Sequence, residues 1–161
     1  VRPGARLGVD VGRARIGIAR SDSAAILAVP VETVPRSAEG DDDVRRILAI
    51  ADEHEVIEFV VGNPLSLSGA PTASTEDAVA FGARLAMAAG PGRPVRLVDE
   101  RLSTVTAQQH LRAAGKKARQ QRPVIDQAAA VIILQHAIDA EKASGTAPGR
   151  VLPTDEGPTP L

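Results

Sequence analysis

The chain of 161 residues is 43% hydrophobic and carries a net charge of −1 at pH 7, which suits one globular domain with a real core and excludes a disordered chain. Having no cysteine, it excludes a disulfide frame, a thiolate metal site and a cysteine nucleophile. No apolar run approaches the ~20 residues that span a bilayer and no signal peptide is visible, so a cytoplasmic protein without a membrane partner is expected.

Residues 5–11 and 15–21 read as two strands. Strands alternate their side chains between two faces. Leu7, Val9 and Val11 therefore share one face of the first, and Gly8, Asp10 and Gly12 the other. The second run offers Gly17 and Ala19 as its small face. Paired as a hairpin across residues 12–14, the two runs set the Asp10 carboxylate in a cleared patch of sheet. A phosphate backbone with its metal ions could come close there; a buried Asp bonding turn amides is the alternative. Residues 27–34 form a third strand, which Pro30 assigns to the rim of the sheet.

Residues 41–53 show helical spacing, with Val44, Ile47, Leu48 and Ala51 on one face. The opening Asp41-Asp42-Asp43 resembles a metal cluster, but carboxylates at a helix start are favoured by the helix dipole, and that structural reading is preferred. Residues 56–62 are a fourth strand, apolar enough to be central. After a loop rich in Gly, Pro and Ser, Ser74 to Asp77 fits a capping box. The helix it would open carries Ala78, Phe81, Leu85 and Ala88 inward and ends at Gly90-Pro91-Gly92. A fifth strand at 95–99 and a short helix at 103–114 follow. Residues 115–122 are a polar, basic loop, and Pro123 opens a long helix to about residue 143. Residues 144–161, rich in Pro and Gly, read as a disordered tail. The order predicts an α/β domain over residues 1–143: a mixed five-stranded sheet, with an antiparallel meander of strands 1–3 and then parallel strands 4 and 5, flanked by helices.

Three carboxylate positions stand out: Asp10 on the first strand, the pair Asp99-Glu100 ending the fifth, and Asp126 in the first turn of the last helix. Each alone has an ordinary explanation in a turn, a strand end or a helix start. Converging, they could hold two divalent ions, which at roughly 3.5–4 Å apart clamp the attacking and leaving oxygens of a phosphodiester cleavage. Hard Mg²⁺ or Mn²⁺ takes oxygen ligands, and carboxylates supply them. Near these positions lie cations suited to phosphate: Arg13 and Arg15 beside Asp10, Arg101 after Glu100, and Lys116, Lys117, Arg119 and Arg122 ahead of Asp126. The last four form either a backbone clamp or a solvated loop. Sixteen of the nineteen cations are Arg, the better bidentate partner for phosphate. Phe59 and Phe81 are the only aromatics, which disfavours recognition of single strands by base stacking and leaves backbone and shape.

Four motifs in order, LGVDVGRARIG, VVGNPLSLSG, DERLST and VIDQAAAVIILQ, resemble those of the YqgF/RuvX family over about residues 5–140. The resemblance implies a ribonuclease H-like fold and an acidic triad of Asp10, Glu100 and Asp126, with Glu100 and not Asp99 on the metal side. It implies a nuclease that trims the precursor of 16S ribosomal RNA near its 5′ end, or a resolvase of four-way (Holliday) DNA junctions. Asn63 departs from the Leu usual in the family; in a loop with Ser66, it is either a polar contact to substrate or a neutral change. A non-catalytic RNA-binding factor for ribosome assembly is the alternative of another class. An ATP-binding module, suggested by LGVDVG alone, lacks the second phosphate loop and second domain it would need. Monomer and homodimer both stay open.

Overall fold

β1 (Arg6–Val11) and β2 (Arg15–Ser21) form the expected antiparallel hairpin, with Asp10 opposite Gly17. This is a computed structural model, and it describes residues 2–63, 72–99 and 118–154, with the backbone alone over 118–126. The hairpin turn needs a glycine. Gly12 donates its N–H to the Arg15 carbonyl at 2.8 Å, and a Cβ on Gly12 would lie 2.5 Å from that oxygen. β3 (Ala28–Pro35) pairs antiparallel with β2 at the rim of the sheet, and its register slips between Ile18 and Ala19, beside Pro30. An edge strand with a bulge is where a residue without an N–H is tolerated. β4 (Glu58–Asn63) lies parallel to β1, and β5 (Val95–Asp99) parallel to β4, so β4 is central as its composition suggests.

The sheet has a sixth strand that the sequence reading assigned to the tail. β6 (Arg150–Val151) pairs antiparallel with β5, giving the order β3-β2-β1-β4-β5-β6. Gly149, at φ +80°, brings the backbone so close to the Leu97 carbonyl that no Cβ would fit. Leu152 then donates its N–H to the Val95 carbonyl at 2.8 Å and is buried over Gly82, where a Cβ would lie 2.9 Å from its methyl group. One apolar anchor among prolines and glycines is enough to order this stretch, and composition averages it away. Residues 155–161 lie outside the described residues.

Helices cover both faces. α1 (Asp42–Glu53) and α2 (Ala73–Ala89) pack through Val44, Ile47, Phe81 and Leu85 on the face that holds Leu7 and Val9. In α1, Ile50 is buried and Leu48 only half so; in α2, Ala86 takes the core place expected of Ala88. Asp42 and Asp43 do sit in the first turn of α1. Asp43 is a buried structural group: its carboxylate accepts the Ser37 N–H at 3.1 Å, and its own N–H donates to the Ser37 hydroxyl at 2.9 Å. The capping box of α2 is not Ser74–Asp77 but Thr72–Thr75. The Thr72 hydroxyl accepts the Thr75 N–H at 3.2 Å, and the Thr75 hydroxyl accepts the Thr72 N–H at 2.9 Å. Threonine at the third helical position replaces the usual Glu or Gln. The Asp77 carboxylate is thereby left for another use.

α3 (Ala118–Ser144) covers the opposite face and starts five residues before Pro123, so Arg119 and Arg122 belong to a helix and not to the expected loop. Arg and Gln are good helix formers, and the run ARQQR propagates the helix outward past the proline. The helix expected at 103–114 lies outside the described residues. α3 packs Ala130, Ile133, Leu134 and Ala137 against Ala19 and Val60. Its closest approach is at Gly8, where a Cβ would sit 2.8 Å from both the Ala130 carbonyl oxygen and the Leu134 Cβ. The small face of the hairpin at Gly8 is therefore a seat for a helix and not the expected room for a ligand. Gly8→Ala should cost about 1–3 kcal/mol of stability, the range for overpacking a tight core. Gly92→Ala, with nothing within 4 Å of the added carbon, should change the urea midpoint little. Equal midpoints for the two variants would refute the seating.

Candidate active site

Asp10 lies half-buried one residue before the end of β1, on the α3 side of the sheet. Its row runs across three strands, Asp10–Gly17–Thr33. Gln127 of α3 donates from Nε2 to the Thr33 hydroxyl at 2.9 Å. At the far end of the same helix, Glu141 accepts from Arg6 at the start of β1, at 3.3 Å. α3 thus runs antiparallel to β1, and position 126, in the third turn of the helix and not in its first as expected because the helix starts at Ala118, lies toward the Asp10 edge of the sheet. Gln127 was not singled out by sequence; as the residue after Asp126 in a helix start it drew no separate signal.

The parallel strands end at the same edge. Val9 is level with Val61, Gly62 with Val98, and Asn63 with Asp99. Open α/β sheets bind ligands outside the carboxyl ends of their strands. Asp99 is exposed there, and Glu100, the next residue, lies outside the described residues. Asn63 is half-buried at the end of β4, and its Oδ1 is buried without a hydrogen-bond partner. Such an orphan acceptor costs about 1–3 kcal/mol and calls for a partner that the described residues do not supply.

Of the expected phosphate contacts, Arg13 is exposed at the tip of the β1–β2 turn and Arg15 is half-buried at the start of β2. Ser66, Arg101, Lys116 and Lys117 lie outside the described residues, while Arg119, Arg122 and Asp126 are described only as positions on α3. Among the described residues no group of three or more His, Asp or Glu forms a metal cluster; Glu100 and the Asp126 side chain are not among them. At this edge Asp77, in the first part of α2, has its carboxyl held below the usual range, first by hydrogen bonds from Arg36. Arg36 was not singled out by sequence, since a lone Arg after a strand carries no local signal, and Asp77 was singled out only for a capping box that it does not form.

The family model described as "RuvX: Holliday junction resolvase" matches residues 4–140. A protein of Clavibacter michiganensis subsp. michiganensis is 61% identical over 153 residues, covering 95% of this chain and 94% of its own. One from Leifsonia xyli subsp. xyli is 54% identical over 158 residues, covering 98% of this chain and all of its own. Both bear the name "Putative pre-16S rRNA nuclease". Among solved structures, Thermus thermophilus RuvC in complex with a Holliday junction substrate superposes with a TM-score of 0.56 at 22% identity, covering 91% of this chain and 99% of that one. This likeness shows the fold, a ribonuclease H-like mixed sheet between helices. With that fold in place and the family pattern matched over residues 4–140, the chain belongs to the RuvX family.

Proposed function

We propose that this protein is a metal-dependent nuclease that hydrolyses phosphodiester bonds and processes the 5′ end of the 16S rRNA precursor in the cytoplasm. The observation that carries the reading is the shared edge. Asp10 near the end of β1, the end of β5 at Asp99, and position 126 in the third turn of α3 all lie toward one edge of the sheet. The names of relatives 54–61% identical over nearly their whole length support the RNA substrate.

The donor set fits a hard divalent cation. Asp10, Glu100 and Asp126 are all oxygen donors, and the orphaned Asn63 Oδ1 at the same edge adds a further acceptor for a bound group. Mg²⁺ or Mn²⁺ held there supplies a water of lowered pKa and stabilises charge on the phosphate oxygens. The chain's own residues do the rest. The three carboxylates hold the cations. Arg13, Arg15 and Arg101 are assigned the phosphate contacts. Lys116, Lys117, Arg119 and Arg122 are assigned the nucleic-acid backbone, and Asn63 and Ser66 polar contacts to substrate. Backbone contacts of this kind position a nucleic acid without reading its bases.

A four-way DNA junction is the second reading, favoured by the structural likeness to RuvC bound to such a junction. Purified protein with Mn²⁺ or Mg²⁺, offered labelled 16S precursor RNA and a labelled junction side by side, decides between them. Cutting of the RNA near its 5′ end, abolished by chelator, is expected. Cutting of the junction alone transfers the assignment to DNA. Tight RNA binding without cutting points to the assembly-factor alternative.

A further inference from the structure

We propose that Arg36, the residue after β3, is a positioning residue that pins the β1–β2 turn to the start of α2 and so presents Arg13 to the nucleic-acid backbone. This rests on the reading of the Asp10 edge as a nuclease site. The Arg36 N–H donates to the Ala14 carbonyl at 2.9 Å, and its Nη1 donates to the Gly12 carbonyl, also at 2.9 Å. Those are the carbonyls on either side of Arg13, so one residue holds the backbone both before and after it. The outer edge of the same guanidinium forms a two-pronged pair with Asp77 of α2, Nη1 to Oδ2 at 2.9 Å and Nη2 to Oδ1 at 3.1 Å. Its Nε, buried and without a hydrogen bond, faces the Asp43 carboxylate of α1 at 3.7 Å, and its Cζ lies 5.2 Å from the centre of the Phe81 ring.

Arg36 is itself a poor phosphate ligand. Its side chain is 19% exposed, and its Nη atoms are engaged by the Gly12 carbonyl and Asp77. What it fixes is a relation between two borders of the site. One is the turn that opens two residues after Asp10; the other is α2, which follows the VVGNPLSLSG motif of residues 60–69 in the chain. The fork geometry matters. Lysine keeps the charge but is a single point donor and cannot hold both Asp77 oxygens and the Gly12 carbonyl in one plane.

The test has two readouts. Amide exchange in the Arg36→Lys protein, against wild type, should show the Gly12 N–H exchanging about tenfold faster, with the Ala130 amide in α3 unchanged; no acceleration at Gly12 overturns the pin. Affinity for labelled precursor RNA in Ca²⁺, and KM and kcat where cleavage is seen, are then compared for Arg36→Lys, Arg13→Gln and the double variant. Each single change should weaken binding about tenfold or raise KM by that factor, and the double should be no worse than the poorer single. Additive losses, or a lowered melting temperature with KM and affinity unchanged, reduce Arg36 to a structural role and overturn the proposal. If the wild type neither binds nor cuts, the nuclease reading falls, while the exchange at Gly12 still judges the pin.

Discussion

Asp10→Asn should lower the rate of phosphodiester cleavage by at least about 10²- to 10³-fold, the loss seen when one group stabilising transition-state charge is removed, while leaving the protein folded. The substitution keeps shape and removes only charge. Around Asp10 the α3-facing small positions of β1 and β2 are Gly8, Gly17 and Ala19, whose side chains carry no carboxylate to take over its role. Stability should stay near that of the wild type, because Asn fills the same space at a half-buried position. Cleavage rates at saturating Mn²⁺, with thermal unfolding of the same samples, make the check. A variant that cuts at the wild-type rate would remove Asp10 from the site; one that melts far below wild type would make it a structural residue.

The strand alternation around Asp10 was legible because a period of two leaves little freedom: Leu7 and Val9 meet α1 and α2, and Gly8 and Asp10 face α3. What filled the small positions was not legible. A glycine in a strand records that something approaches closely, and at Gly8 the visitor is the Ala130–Leu134 turn of a helix more than a hundred residues away. The capping box failed for a different reason. Ser74–Asp77 carries the acidic residue of the local pattern and Thr72–Thr75 does not, yet Asp77 pairs with Arg36 and Thr75 completes the box. That partner, Arg36, is one of sixteen arginines and becomes special only when β3 brings it to the hairpin turn. β6 escaped notice because two residues of strand and one buried Leu152 leave no periodicity to detect. In each case the local preference was weak and a long-range contact decided.

The end of the sheet opposite Asp10 carries the largest expected effect on stability. Glu141 near the end of α3 accepts from Arg2 at 2.9 and 3.1 Å and from Arg6 at 3.3 Å, and Glu58 accepts from Arg2 at 2.7 Å and from Arg96 at 3.4 Å. Arg6 is 1% exposed and keeps the Gly4 carbonyl at 2.6 Å and Glu58 at 3.7 Å when Glu141 is neutralised, so Glu141→Gln should cost about 3 kcal/mol, the low end of the loss when one partner of a buried pair is removed. Hydrogen bonds from Arg2, more than any other cause, hold the Glu141 carboxyl down at about 2 against its ordinary 4.5. A carboxyl depressed in the folded state stabilises above its unfolded pKa and loses that contribution as pH falls through its folded one. The unfolding free energy of the wild type, read from urea titrations, should therefore drop between pH 4.5 and pH 2 by about 2 kcal/mol once the partial exposure of Arg2 is allowed for. The Glu141→Gln protein should be weaker throughout, with a correspondingly flatter profile over that interval. The consequence reaches the other edge. α3 is tied at Glu141, seated at Gly8 and joined at Gln127 to the row of Asp10, so a helix loosened at its end no longer fixes position 126 beside that row. At pH 7 and a temperature where the variant is still folded, cleavage should fall more steeply than the folded fraction does. If activity instead follows the folded fraction alone, the ion cluster stabilises the domain without aligning its site.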